Sequence, residues 1–355
     1  MRTSKWQSLV VAILAGGLLT SCSSASDNDA KATGAAARNP VIGASEGSAD
    51  GPSAAPSALA SGMGSDVDTD GTFPRTVTHF KGTTTLRAAP TRVAVLSTGQ
   101  LDDLLSLGLV PTATTRADNA GLVPDYLADA FPQDKAELAA MTDAGTRQAP
   151  NLETLAAAKP DLILANDSLG DLYPKLSKIA PTVVTAGNGI NWKRDLLLVG
   201  DAVGKGEEAQ KLVDDIAAEA ADAGKQDKAL GSTTVSMVRF TPDRTRMFGV
   251  SSFTGSIAVD MGLGRPKSQQ FRAISEDIGA ESIDTADADW IFYSVQGDAG
   301  KTDASGGVVA GPLWKSMKAV TAGHAVKVDD DPWYLNAGPT AARLVVRQLA
   351  EHLGK

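Results

Sequence analysis

RQAPNLETLAAAKPDLILA, residues 147–165, decides the fold. Asn151 is a favourable N-cap, because its side-chain oxygen can accept backbone N–H groups left free at a helix start. Pro160 disfavours helical geometry at the residue before it. The spacing therefore predicts a helix over Asn151–Lys159. Asp161–Ala165 (DLILA) follows at once and reads as a buried strand.

The same alternation extends both ways. Upstream, Arg92–Thr98 (RVAVLST) is a β-branched apolar run ended by a turn. Leu101, Leu104, Leu105 and Leu107 fall near helical spacing before Gly108, a suitable C′ glycine. Val110–Thr115 is a second strand. Downstream, Leu169–Ile179 is helical and Thr182–Thr185 (TVVT) is a strand. Strand–helix alternation of this kind predicts a parallel sheet covered by helices.

Two helices then follow, Trp192–Val203 and Gly206–Gly224, separated by Gly204-Lys205-Gly206. Ala209, Leu212, Val213, Ile216 and Ala217 form an apolar stripe on the second. It is long enough to cross from one lobe to another. A second alternating block has strands at Thr233–Phe240, Thr245–Val250, Trp290–Val295 and Ala325–Val328. Its helices fall at Phe253–Met261, Pro312–Ala319 and Thr340–Leu353. The expected fold is α/β, with two Rossmann-like lobes joined by one long linking helix. A ligand cleft lies between the lobes, at the carboxyl ends of their strands. The boundaries are 1–21 for an export signal, 22–74 for a low-complexity tether, 75–190 for the N-terminal lobe, 191–228 for the linking helices and 229–355 for the C-terminal lobe.

Met1–Ser21 has a positive start, an apolar run Leu9–Leu19 and then small residues, the parts of an export signal. Leu19-Thr20-Ser21-Cys22 matches the bacterial lipobox, which implies that Cys22 becomes a lipidated N-terminus on the extracytoplasmic face of the cell membrane. The tether is rich in Ala, Ser, Gly, Asp and Pro and cannot offset its ordering entropy. As a random coil of about 50 residues it spans roughly 40 Å.

The 355 residues include 33 Lys and Arg against 42 Asp and Glu, a formal net charge of −9. Loss of the signal, which carries Arg2 and Lys5 and no acid, leaves 31 basic against 42 acidic residues. Such an acidic chain is a poor ligand for nucleic acid or an anionic membrane surface. The single cysteine excludes an intrachain disulfide, and with His79, His324 and His352 it offers no His or Cys cluster for a metal. There is no HExxH or Walker A pattern, and the one GxSxG match, GASEG at Gly43–Gly47, falls in the low-complexity tether and not on a strand-to-helix turn. A catalytic role therefore has no motif in the α/β blocks behind it, and the chain is read as a non-enzyme with no cofactor.

Four segments in register resemble one family. They are Arg147–Asp161 (RQAPNLETLAAAKPD), Tyr173–Pro181 (YPKLSKIAP), Arg246–Pro266 (RMFGVSSFTGSIAVDMGLGRP) and Pro312–Asp329 (PLWKSMKAVTAGHAVKVD). They look like the ABC-transporter solute-binding proteins for ferric siderophores, haem and cobalamin. Within that family the chain is similar to the iron(III)-dicitrate/siderophore-binding lipoproteins of high-GC Gram-positive bacteria. The resemblance covers about Thr76 to Leu353. It implies two rigid lobes and capture of a ferric siderophore, such as a ferric citrate-like chelate. Delivery to an ABC permease with a separate ATPase subunit follows. Haem or cobalamin capture by the same fold and a scaffolding lipoprotein remain as alternatives, with an envelope hydrolase a less favoured one. A monomer is expected, since one cleft and one docking face need no symmetry.

A ferric siderophore already saturates its iron, so the receptor supplies charge and apolar walls rather than metal ligands. Arginine suits the task, because its planar guanidinium grips carboxylate or hydroxamate oxygens with two bonds. Arg116, Arg147, Arg239 and Arg246 fall near strand ends, and an arginine-rich cleft leans towards anionic complexes. In the family motif Arg147 is the ligand-binding arginine. Arg239 and Arg246 carry over too, although strand alternation leaves Arg239 open to a buried structural pair. Trp192 is either a cleft wall or helix-packing core. Trp333 and Tyr334, in the loop DDDPWYLNAGP, read as cleft walls, and Tyr334 is the one attractive axial ligand for haem. Phe253 is a further candidate wall, and Gln100 a polar group at the rim. The family docks one acid on each lobe into the permease. Asp102 and Asp260 occupy those positions here, aspartates where glutamate is usual.

Overall fold

The computed structural model describes residues 55–117, 120–226, 232–296 and 303–354. Cys22 and the export signal lie outside them. The tether expectation needs correction at its far end, because residues 55–74 are folded. β1 (Gly64–Ser65), β2 (Arg75–His79) and β3 (Gly82–Leu86) form a three-stranded antiparallel sheet. Its polar composition hid it, since what fixes it is hydrogen bonding to a distant segment. The Ser65 N–H donates to Asp201 Oδ2 at 2.9 Å. The Arg75 guanidinium is buried and donates to the carbonyls of Asp201 (2.7 Å), Thr69 (2.9 Å) and Thr72 (3.0 Å).

The N-terminal lobe is built on β4 (Val93–Val95), β5 (Ala113–Arg116), β6 (Thr142–Thr146), β7 (Leu162–Asn166) and β8 (Thr182–Thr185). They form an all-parallel sheet in the order β6-β5-β4-β7-β8. β6, sequence TDAGT, was not expected. It is an edge strand with one buried residue and lacks the apolar run that marks the others. Its helices are α1 (Gln100–Ser106), α2 (Asp125–Ala130), α3 (Lys135–Ala140), α4 (Leu152–Ala157) and α5 (Tyr173–Ile179). Asn151 caps α4 as anticipated, accepting the N–H groups of Glu153 (3.1 Å) and Thr154 (3.0 Å).

α6 (Trp192–Val203) and α7 (Gly206–Gln226) form the joint. Gly204 ends α6 at φ +75°, and a Cβ there would lie 2.8 Å from the Phe73 ring, so glycine is required twice over. The 21 residues of α7 span about 31 Å at 1.5 Å each.

In the C-terminal lobe, β9 (Val235–Phe240), β10 (Thr245–Phe248), β11 (Ser275–Ile278), β12 (Trp290–Val295) and β13 (Ala325–Lys327) form a mixed sheet in the order β11-β10-β9-β12-β13. β12 runs parallel to both β9 and β13. β10 runs antiparallel to β9, because only Thr241–Arg244 connect them and so short a turn cannot cross over. α8 (Phe253–Asp260), α9 (Asp303–Ala310), α10 (Pro312–Ser316), α11 (Lys318–Thr321) and α12 (Pro339–Leu353) complete the lobe.

Separate apolar clusters cover the outer faces of the two sheets, one around Leu155, Ile163 and Leu176 and the other around Phe240, Ile291 and Trp314. The inner faces share a single cluster that includes Leu104, Leu196, Val213, Ile257, Phe292 and Val345. The lobes are thus joined by a continuous layer of helices, with α12 returning across α7 and α1, and not by α7 alone. Such a layer resists large hinge motion, because opening it exposes close-packed apolar surface.

Candidate functional site

β4 is the switch point of the N-terminal sheet, with β5 on one side and β7 on the other. The loops leaving such strands diverge and open a crevice. Ser97, Thr115, Arg116 and Arg147 line it from this lobe, and Asp331 and Asn336 close it from the other. The crevice is therefore an inter-lobe cleft at strand carboxyl ends, where the sequence places it.

Arg147 bridges its two sides. Its backbone N–H is held by the Arg116 carbonyl at 3.0 Å. Its guanidinium reaches across the cleft, Nη1 to the Leu335 carbonyl (3.1 Å) and Thr98 Oγ1 (3.3 Å), and Nη2 to Asn336 Oδ1 (2.8 Å). Nε is buried without a partner. Burial draws the guanidinium below its ordinary range, opposed by Tyr126 and Asp331. Arg147 thus closes the cleft and keeps one donor in reserve.

The other expected arginines are engaged locally. Arg116 donates to Asp143 Oδ2 at 3.0 Å and remains about one-third exposed. Arg246 donates to Asp277 Oδ1 at 3.1 Å. Arg239 is buried and grips both oxygens of Asp330 at 2.7 Å. Of its two readings, the buried structural pair is the one found.

The aromatic walls go inward. Trp192 is 1% exposed, donates to Ser256 Oγ at 3.2 Å and meets the Phe253 ring edge-to-face at 5.3 Å. Trp333 is also 1% exposed, donating to Gln348 and stacking on Phe292 at 5.1 Å. Tyr334 donates its hydroxyl to the Phe292 carbonyl at 2.9 Å, and burial pushes its pKa up. It is thereby withdrawn from haem ligation. The loop Asp329–Asn336 turns its aromatics into the core and leaves Asp331 and Asn336 for the cleft, because rings have far more apolar area to hide. With Ser97 and Thr115 these are cleft residues the sequence did not mark, although the run of aspartates was visible.

Gln100 is fully buried and structural. Its Oε1 accepts the Leu96 N–H at 3.2 Å, and Nε2 donates to the Ala165 carbonyl (3.0 Å) and Thr185 Oγ1 (3.2 Å). Asp102 is 1% exposed. It accepts the N–H groups of Thr340 and Ala341, both at 3.0 Å, and so caps α12. Burial is the largest influence on its carboxyl and raises its pKa. Gly338 permits the approach, since a Cβ there would lie 2.5 Å from Asp102 Cβ. Asp260 lies 2.7 Å from Lys193 Nζ, and its side chain is 13% exposed. Neither aspartate presents a free carboxylate to a partner. A wider groove of about 610 Å³ lies between α2 and α12, lined by Phe131, Arg343 and Arg347 among others.

Two α/β lobes around a cleft of paired charges, with a rigid helical joint behind it, define a binding protein that seizes its ligand between lobes. The profile of the family described as "Periplasmic binding protein" matches residues 93–332, and the chain belongs to that family. A Bacillus subtilis protein named "Probable siderophore-binding lipoprotein YfiY" is 31% identical over 79% of this chain and 88% of its own length. The Escherichia coli Fe(3+) dicitrate-binding periplasmic protein FecB is 26% identical over 77% of this chain and 88% of its own. Among solved structures, Staphylococcus aureus SirA complexed with staphyloferrin B aligns with a TM-score of 0.70. It is 29% identical, covering 79% of this chain and 98% of that one.

Proposed function

We propose that the chain is an extracytoplasmic receptor that captures a ferric siderophore in its inter-lobe cleft and hands it to an ABC permease for iron import. The observation that carries this reading is Arg147, just past the edge strand β6, with a buried, unpartnered Nε and a guanidinium that spans the cleft from Thr98 to Leu335 and Asn336. A chelate entering there meets a donor already held in place, which lowers the cost of binding. The relatives' names, a siderophore-binding lipoprotein and a dicitrate-binding protein, support the ligand class. The role needs no catalysis and no resident cofactor. A monomer, lipid-anchored through Cys22, suits it, with the ATPase on another chain.

The test is quenching of intrinsic tryptophan fluorescence by a panel of ferric and iron-free siderophores, haem and cobalamin. One ferric class should bind, its iron-free form much more weakly, and Arg147→Ala should weaken binding by about tenfold or more. Failure of every ferric chelate with a folded chain would sink the reading.

A further inference from the structure

We infer that Arg147 is a latch: in the ligand-free chain its guanidinium shuts the cleft by holding Leu335 and Asn336, and a ferric chelate enters by taking their place on it. This rests on the siderophore reading above and adds how the same site opens. The crevice leaves about 10 Å³ free, room for a single water at most. Pockets for small ligands run to roughly 300–1,000 Å³. The cleft as it stands is therefore shut, and a contact must release before a chelate can enter.

Two sets of contacts join the lobes here, and they differ in kind. The first is fixed. Asp102 caps α12 through the Thr340 and Ala341 N–H groups, and a Cβ on Gly99 would lie 2.7 Å from the Ala337 carbonyl oxygen. Breaking this seam would orphan a helix end and strand a buried carboxyl. The second is Arg147, which reaches the Leu335 carbonyl and Asn336 Oδ1 from the opposite lobe. All its acceptors are neutral: a carbonyl, a side-chain amide and, on its own lobe, the Thr98 hydroxyl. Asp331 and Tyr126 act on it only through space. A charged oxygen of a chelate displaces neutral acceptors from a guanidinium, because its hydrogen bonds to the cation are stronger. Arg147 can therefore exchange its partners for ligand. Arg239 cannot, since both oxygens of Asp330 hold it and release would strand that carboxylate. Arg147 Nε and Thr115 Oγ1, in residues that line the crevice, are also buried without partners. The shut cleft thus carries unsatisfied polar groups that an entering chelate can satisfy.

The decisive experiment mixes the purified full chain with ferric citrate, ferrioxamine B or a ferric triscatecholate and follows tryptophan quenching by stopped flow. Asn336→Ala removes one acceptor of the latch. It should speed association of whichever complex binds by about three- to tenfold, with dissociation little changed. Asn336→Asp sets a carboxylate on the guanidinium and should slow association by about the same factor. A residue that only shapes its loop would weaken or slow binding in both variants. A second readout needs no ligand. Spin labels at Glu137→Cys and Glu276→Cys, one exposed site on each lobe, are placed in the chain with Cys22→Ser. The distance between them should lengthen, or gain a longer population, in Asn336→Ala and not in Asn336→Asp. Unchanged or slower association in Asn336→Ala, or a label distance that Asn336→Ala does not move, would overturn the latch and leave the siderophore reading standing. If no ferric complex binds a folded chain while the label distance still lengthens, the siderophore reading falls and the latch stands.

Discussion

Lys193 Nζ lies 2.7 Å from Asp260 Oδ2, with both side chains largely withdrawn from water. The pair ties α6 to α8 and so locks the joint to the C-terminal lobe. Removing one partner of such a pair strands the other charge, whereas replacing both by apolar groups can be nearly neutral. Lys193→Met should therefore lower unfolding free energy by about 3 kcal/mol, and Lys193→Met with Asp260→Leu should recover most of it. Urea unfolding of the single and double variants measures this.

The cap on α12 comes from another lobe. Asp102 accepts the Thr340 and Ala341 N–H groups and takes further hydrogen bonds from Tyr126 (3.2 Å) and Ser106 (3.2 Å). Asp102→Ala should cost about 2 kcal/mol, towards the upper end for a lost cap. Amide exchange at the first turn of α12 should accelerate well before the rest of the lobe loses protection.

Asp103 is buried, and its Oδ1 has no partner. Burial, then Asp102 and Asp195, push its pKa well above the ordinary carboxylate range. The Asp195 carboxyl is raised to about 7, again by burial, against the Gly187 and Ala186 N–H groups it accepts. Both hold their protons in the folded chain to higher pH than in the unfolded one, so stability falls as pH rises above about 4. For Asp195 that loss is complete a little above pH 7. Asp103→Asn mimics the protonated acid. It should change stability little at pH 4 and raise it by about 1–2 kcal/mol at pH 8. Thermal melts across that range decide the matter, and a variant equally stabilised at both pH values would contradict it.

Arg116 and Arg239 should separate cleanly. The Arg116–Asp143 pair is exposed and worth at most about 1 kcal/mol, so Arg116→Ala should act on ligand affinity with little effect on stability. Arg239→Ala leaves Asp330 buried without its bidentate partner and should cost about 3 kcal/mol of stability. Chemical unfolding together with ligand titration distinguishes the two effects.

Local pattern carried much of the architecture. The helix capped by Asn151, the buried strand Leu162–Asn166 and the linking helices are legible because their signals lie within a few residues. These are an N-cap, a proline, an apolar run and a helical stripe. Arg147 was legible through its motif and does stand in the cleft.

The folded segment 55–74, the edge strand Thr142–Thr146 and the capping role of Asp102 depend on partners far along the chain, and none leaves a local trace. The same holds for direction at the site. Residue type marks Arg239, Trp333 and Gln100 as able to meet a ligand, but only packing decides whether they do. Arg239 found Asp330, Trp333 found Phe292, and Gln100 found the backbone of Leu96, just past β4, and of β7. The sequence by itself determined two α/β lobes, their joint and the crevice between them, because periodicity and helix-end chemistry are local. Only the tertiary structure decided which charges face that crevice unpaired, because an ion pair depends on where two distant segments are brought together.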